Sequence, residues 1–265
     1  MTLPPPTSRP VRLGDLDVAA HLADPQRKQA FVTPMFDVIA PRYDAFTRLF
    51  SFGMDAGWKR EALAAVQAVV ARERLEVREA LDLASGTGDV ACALARAWPR
   101  ARVTALDASP RMIEAAHGRL AGVDRDVADR VAPVVGDMMA LPQPDASIDV
   151  VTASYGIRNV PSAAQSVREI ARVLRAGGLL ATIDFYRPAA RWWRTLFLWY
   201  LRTAGNLVGW LWHRDPVVYG YIAHSIDAFM SDADFARLLE REGFEVVSGR
   251  RYLFGGVVRH VARKR

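Results

Sequence analysis

The sequence predicts an α/β protein: a doubly wound, mostly parallel seven-stranded sheet finished by an antiparallel C-terminal hairpin. Three observations carry this expectation. Five short apolar runs between residues 79 and 185 alternate with segments of helical periodicity, the pattern of βαβ units covered on both faces. The first run ends in a glycine-containing turn that opens a helix. Two last runs, after residue 243, are joined through Gly255-Gly256, a link too short for a helical crossover and suited to an antiparallel pair.

Residues 1–30 begin Pro-rich and read as a tail leading into a short helix over 25–31. Residues 31–265 read as one domain. Its first part, 31–75, is a helical, aromatic cap punctuated by Pro34, Pro41 and Gly53. Strands are expected at 79–84, 102–107, 132–136, 148–154 and 179–185. Helices are expected at 90–99, 110–120 and 162–174, the last stopped by Gly177-Gly178. A helical insertion over 187–230 breaks the alternation, and a helix over 232–242 precedes the hairpin.

Composition removes several classes. Of 265 residues 51% are hydrophobic, enough apolar surface to bury a core and to exclude bulk disorder. The one cysteine, Cys92, excludes an intrachain disulfide and a cysteine-built zinc site, and its place among alanines and leucines reads as core. The net charge of +6 comes from scattered arginines, with no basic run beyond Arg263-Lys264-Arg265, so a nucleic-acid partner is not expected. The N-terminus lacks a signal-type apolar region, and no stretch of about 20 apolar residues suits a spanning helix.

The strongest local signal is Leu81-Asp82-Leu83-Ala84-Ser85-Gly86-Thr87-Gly88-Asp89. Gly86 and Gly88 let a backbone approach a ligand closely and expose amides at a helix N-terminus. Asp107 ends the second strand about 20 residues further on, where a carboxylate accepts from both hydroxyls of a ribose. A third glycine for a dinucleotide pyrophosphate is missing, and Asp89 would repel one. Asp137, after the third strand, can accept from an adenine amino group, and Asp82 and Asp89 can attract an ammonium. Acids at successive strand ends therefore suit a cationic adenosine ligand, S-adenosyl-L-methionine.

Four segments, LDLASGTGD, ALDASPRMI, GDMMALPQPDASIDVV and VREIARVLRAGGLL, resemble the motifs of class I S-adenosylmethionine-dependent methyltransferases. FDVIAPRYDAFTRLFSFGMDAGWKR, SYGIRNV, IDFYRP and YGYIAHSIDAF narrow the resemblance to the ubiquinone/menaquinone biosynthesis C-methyltransferase family, from about Phe31 to the C-terminus. The resemblance implies a Rossmann-like fold and methylation of a ring carbon of a prenylated quinol, a demethylmenaquinol or ubiquinol precursor. It implies that Thr87, Asp107, Asp137, Met138 and Ser154 contact the cofactor, that Gly86 and Gly88 shape the turn around it and that Tyr43 covers it. It also implies that Arg158 and Asn159 face the substrate ring. Thr47 and Tyr155 depart from the family's YDxxN and SFGxRN segments, and both changes touch the pocket.

For this chemistry Arg158 suits an electrostatic stabiliser of a developing phenolate, since a guanidinium is a poor proton acceptor. Asn159 would orient a water or the ring hydroxyl, or cap the helix that follows. Asp44 is a candidate acid near the substrate and His224 a candidate base or a solvated surface residue. No metal is needed, and no metal-ligand spacing occurs.

Residues 191–212 hold five of the seven tryptophans. On a helical wheel Arg191, Arg194, Arg202 and Asn206 share one arc, Trp192, Trp193, Leu196, Trp199 and Tyr200 lie opposite, and Leu198 is the exception. Such a helix suits peripheral contact with the inner face of a membrane, packing on the core, or a homodimer interface. A cytoplasmic enzyme is expected. The alternatives kept open are a C- or O-methyltransferase of small aromatic secondary metabolites and a non-catalytic scaffold that binds cofactor or lipid.

Overall fold

The computed structural model describes residues 25–214 and 217–265. Most of the expected tail, residues 1–24, lies outside the described residues. The chain opens with α1 (Pro25–Ile39), a 3-10 turn (Ala40–Arg42), α2 (Tyr43–Phe50) and α3 (Met54–Glu73). Helix α1 is longer than the sequence suggested and runs through Pro34. Proline removes one intrahelical hydrogen bond there, but Val32 and Met35 on either side are buried and hold the helix across it.

The sheet then builds as β1 (Glu79–Leu83), α4 (Asp89–Ala97), β2 (Arg102–Asp107), α5 (Pro110–Leu120), α6 (Arg125–Ala128), β3 (Val131–Val135), β4 (Ile148–Ser154), α7 (Ala163–Val173) and β5 (Leu174–Phe185). Gly177-Gly178 do not stop the helix as expected. Helix α7 ends at Val173, and the strand already begins at Leu174, which pairs with Ile148 ahead of a bulge. The insertion is a helical pair, α8 (Arg191–His213) and α9 (Val217–Ala228). Helix α10 (Asp232–Arg241), β6 (Phe244–Tyr252) and β7 (Val257–Lys264) complete the chain.

The seven strands lie in the order β3-β2-β1-β4-β5-β7-β6. All pairs from β3 to β5 are parallel, and β7 runs antiparallel between β5 and β6. This is the expected sheet and hairpin. Strand alternation divides the core in two. Leu81, Leu83, Val151 and Leu180 pack with Val167 and Ile170 of α7 and Phe235 of α10. Ala80, Val103, Val150 and Ala181 pack with Val66 of α3 and Leu94 of α4, and Cys92 lies buried in this second layer. Strand order reverses between β1 and β4, so their carboxyl ends diverge into a crevice suited to a ligand.

Candidate active site

Strand ends build the crevice floor. Gly86, Asp107, Asp137, Met138 and Ser154 line one cleft, each following or ending one of strands β1 to β4. Helix α1 roofs this cleft with Val32, Thr33 and Phe36. Long-range bonds fix the roof: Lys28 Nζ donates to the carbonyls of Arg158 and Val160 at 2.8 Å each, and Ser109 Oγ donates to Asp37 Oδ1 at 2.6 Å. Burial, with the nearby Arg158 charge, brings the Lys28 ammonium down to about 8.

Asp107 is prepared for hydroxyl donors. Its Oδ2 accepts from the Gly86 amide at 2.8 Å and its Oδ1 from the Ser109 amide at 2.9 Å. Each oxygen keeps a further lone pair. Burial pushes this carboxyl above its ordinary value, and the Ser109, Gly86 and Ala108 amides pull against that shift. Asp137 is fixed in the same way, through Oδ1 and the Met139 amide at 2.8 Å.

Two non-glycine residues beside the cleft, Ala84 and Tyr155, hold left-handed backbone with φ of 49° and 59°. They follow adjacent strands and meet across Gly156. A Cβ on Gly156 would stand 2.3 Å from the Ala84 Cβ, so only glycine allows this approach.

A second cavity, of about 290 Å³, lies on the other side of Tyr43. Its walls are aromatic: Phe46, Trp58, Tyr155, Phe185, Phe197 and Tyr200 line it, with Phe46 and Tyr219 stacked at 3.7 Å. Arg158 is its buried cation. The guanidinium lies 5.2 Å from the Phe185 ring centroid, and Nη1 donates to Asp184 Oδ1 and to the Tyr155 carbonyl at 2.8 Å each. Asp55 is the one carboxylate among the described lining residues. Its neighbour Lys59 bridges Asp55 at 3.5 Å and Asp89 at 2.9 Å. Burial opposes the charge of Lys59, but Asp89, Tyr43 and Asp55 outweigh it and raise the ammonium above its ordinary value.

Tyr43, Phe36 and Tyr155 line both cavities. The sequence-derived residues divide between these spaces, with some corrections. Tyr43, Gly86, Asp107, Asp137, Met138 and Ser154 meet around the cleft as expected. Thr87 and Gly88 do not line it. Thr87 Oγ1 donates to Asp44 Oδ1 at 2.8 Å, and Arg119 donates to the Thr87 hydroxyl and carbonyl and to Asp44. Asp44 thus ties α2 to the glycine turn and does not line the aromatic cavity. Gly88, at φ 81°, forms the N-terminal cap of α4.

Asn159 lines the cleft and not the aromatic cavity. Its Nδ2 donates to the Tyr155 carbonyl at 2.9 Å and its Oδ1 accepts from Tyr221 Oη at 2.9 Å. It caps no helix, because Ser162 caps α7. Asp82 and Asp89, expected to attract an ammonium, are engaged elsewhere. Asp82 is buried against Thr152, and Asp89 is paired to Lys59. His224 is half-buried on α9 and lines neither cavity.

A family model described as the ubiE/COQ5 methyltransferase family matches residues 24–264. The chain belongs to this family. It is 36% identical over 225 residues to the ubiquinone/menaquinone biosynthesis C-methyltransferase UbiE of Syntrophotalea carbinolica, covering 85% of this chain and 90% of that one. It is 35% identical over 215 residues to the demethylmenaquinone methyltransferase of Thermotoga maritima, covering 80% and 87%. Among solved structures, a putative methyltransferase of Haloferax volcanii, in complex with its activator Trm112, superposes with a TM-score of 0.58 at 21% identity. That match covers 86% of this chain and 96% of the other, and it shows the shared fold. As a ubiE/COQ5 family member, the protein is a methyltransferase.

Sequence reasoning assigned no role to Asp184, Arg119, Lys28 or Lys59 in this ubiE/COQ5 methyltransferase. Asp184 had a signal, since it lies in the IDFYRP block one strand over from Arg158. Lys59 had one local signal, Asp55 four residues before it, but its bond to Asp89 and those of Lys28 and Arg119 span 30 to 132 residues of sequence.

Proposed function

We propose that this methyltransferase moves a methyl group from S-adenosyl-L-methionine to a ring carbon of a prenylated quinol, a demethylmenaquinol or ubiquinol precursor. The observation that carries the reading is the shared wall. An acid-lined cleft and an aromatic cavity with one buried arginine adjoin through Tyr43 and Tyr155. The names of the curated relatives support the substrate class.

The cleft residues fit the donor. The free lone pairs of Asp107 suit ribose hydroxyls, Asp137 suits an amino group, and Leu106, Met112 and Met138 give apolar surface for a purine. When bound, the donor supplies an electrophilic methyl. The chain's own residues supply the rest. Aromatic walls strip water from the ring, which sharpens every charge inside. Arg158 is held by Asp184 before any substrate arrives, so its charge meets a developing phenolate without reorganisation. Asp55, kept beside Lys59 and accepting from Ser51 Oγ at 3.2 Å, is the acceptor the cavity offers for the hydroxyl proton. That proton loss raises electron density on the ortho carbon.

No helix among the described residues is long and apolar enough to cross a membrane. We place the enzyme in the cytoplasm, at the inner face of the membrane that holds prenylated quinols. The deciding assay incubates purified protein with S-adenosyl-L-methionine and reduced quinols of graded tail length, scored by mass of the product. Ring-methylated quinol is the expected product. Turnover of soluble phenols with none of any prenylated quinol would overturn the substrate assignment.

A further inference from the structure

We propose that the outward side of α8 docks on an anionic lipid bilayer and that the aromatic cavity opens onto this docked face. The surface is read from the helix alone. That the cargo entering there is a quinol tail rests on the function proposed above.

Helix α8 buries a face other than its tryptophan arc. Phe197, Leu198 and Leu201 are buried beside Ala223 and Ile226 of α9. Leu198, the wheel's exception, belongs to this buried face, and Arg194 turns inward to pair with Asp227 of α9. The tryptophan arc is left outside. Trp192 is 68% exposed, Trp199 62% and Trp210 53%, with Leu196, Leu207 and Leu211 exposed between and beside them. Residues spaced this way share one side of a helix. A continuous apolar ridge in water marks a surface that meets another phase or partner.

The ridge continues to the cavity. Exposed Phe52 stacks on Tyr200 at 6.2 Å, and exposed Phe254 meets the edge of Trp193 at 5.3 Å. Phe52, Tyr200 and Trp193 also line the aromatic cavity. Ring contacts therefore link the outer ridge to the cavity wall, Trp192 of the ridge meeting Trp193 of the wall at 5.8 Å.

Charge selects the occupant. Helix α8 contains no acid, and Arg191, Arg202 and Arg214 are exposed along and just beyond it. Exposed Arg48 lies on α2 beside Leu49 and the loop that carries Phe52. Arginines that flank exposed indoles match anionic headgroups above an acyl layer. A second copy of this chain matches poorly. Arg202 is the midpoint of the 23-residue helix, so antiparallel self-pairing about that point sets Arg202 against Arg202.

The test uses the full chain and vesicles of phosphatidylcholine with or without phosphatidylglycerol, read by co-sedimentation. The parent is expected to bind anionic vesicles at least tenfold more tightly than neutral ones, with binding weakened by salt. A W192S/W199S/W210S variant is expected to lose at least tenfold in vesicle binding while its S-adenosyl-L-methionine affinity stays within twofold. Arg202→Glu is expected to weaken binding to anionic vesicles only. Unchanged vesicle binding by the triple variant overturns the proposal. So does a parent that is a stable dimer, indifferent to vesicles, whose dimer the triple variant dissolves. Should no prenylated quinol be turned over while the vesicle results hold, the function falls and the docking surface stands.

Discussion

Arg158 and Asp184 are paired Nη1 to Oδ1 at 2.8 Å, with both side chains almost wholly buried. Asp184 lies near the end of β5 and Arg158 in a 3-10 turn (Ile157–Asn159) after β4, and Asp184 Oδ2 also accepts from the Arg158 amide at 3.1 Å. One carboxylate thus sets both the backbone and the charge of the arginine that lines the aromatic cavity. Removing one partner leaves the other charged and unpaired. Asp184→Ala should cost about 3–5 kcal/mol of stability in chemical denaturation. Arg158→Ala should lower kcat by about two to three orders of magnitude, with donor affinity little changed. Loss of donor affinity in step with kcat would move Arg158 out of the role given to it.

Asp107 should dominate donor affinity. Its two oxygens are already oriented by Gly86 and Ser109, so binding needs no rearrangement of the acid. Asp107→Ala should weaken S-adenosyl-L-methionine by at least about a hundredfold in calorimetry, through the loss of charge-assisted bonds worth about 1.5–3 kcal/mol each. Affinity near that of the parent would defeat the ribose assignment.

The buried acid Asp82 predicts a pH effect on folding. Burial lifts its carboxyl to about 7 from an ordinary 3.8, against the bond from Thr152. Across that window the folded chain holds a proton the unfolded chain has released, so this acid makes stability fall as pH rises from about 4 to 7. Asp82→Asn removes the dependence. Thermal unfolding of parent and variant should diverge with rising pH, by an amount on the order of 4 kcal/mol at most. Parallel curves would show that Asp82 ionises as it does in water.

Asp55→Asn separates proton transfer from binding. The variant should keep substrate affinity while kcat falls about a hundred- to ten-thousandfold, the span typical of a general base. A kcat near that of the parent would assign the proton to another acceptor.

Gly156→Ala tests the contact between β1 and β4. The added methyl would collide with the Ala84 Cβ at 2.3 Å, and both residues border the cleft. Overpacking of this kind costs about 1–3 kcal/mol. A fall of several degrees in Tm with weaker donor binding is expected, and an unchanged Tm would mean that the turn yields freely.

Patterns that act locally were legible in the sequence. Apolar runs placed all seven strands, and the glycine turn with Asp107 and Asp137 placed the cleft, because each signal lies within a few residues of the structure it makes. What escaped depends on partners far along the chain. Thr87 reads as a ligand contact until Arg119 and Asp44 are seen to hold it. Helix α1 reads as broken at Pro34 until the burial of Val32 and Met35 is known. The wheel of 191–212 ranked residues by polarity alone. The actual inward face was set by Ala223 and Ile226, whose positions no periodicity reveals.

Phe36, Tyr43 and Tyr155 each touch both cavities. Replacing Phe36 or Tyr43 reshapes both spaces at once, and at Tyr155 this chain already departs from the family's SFGxRN segment. Divergence in acceptor choice should run through residues that border one space only, such as Phe46, Thr47, Trp58 and Tyr200. Lineages that change those four while keeping Phe36 and Tyr43 would leave the cleft's wall intact and explore new acceptors at little risk.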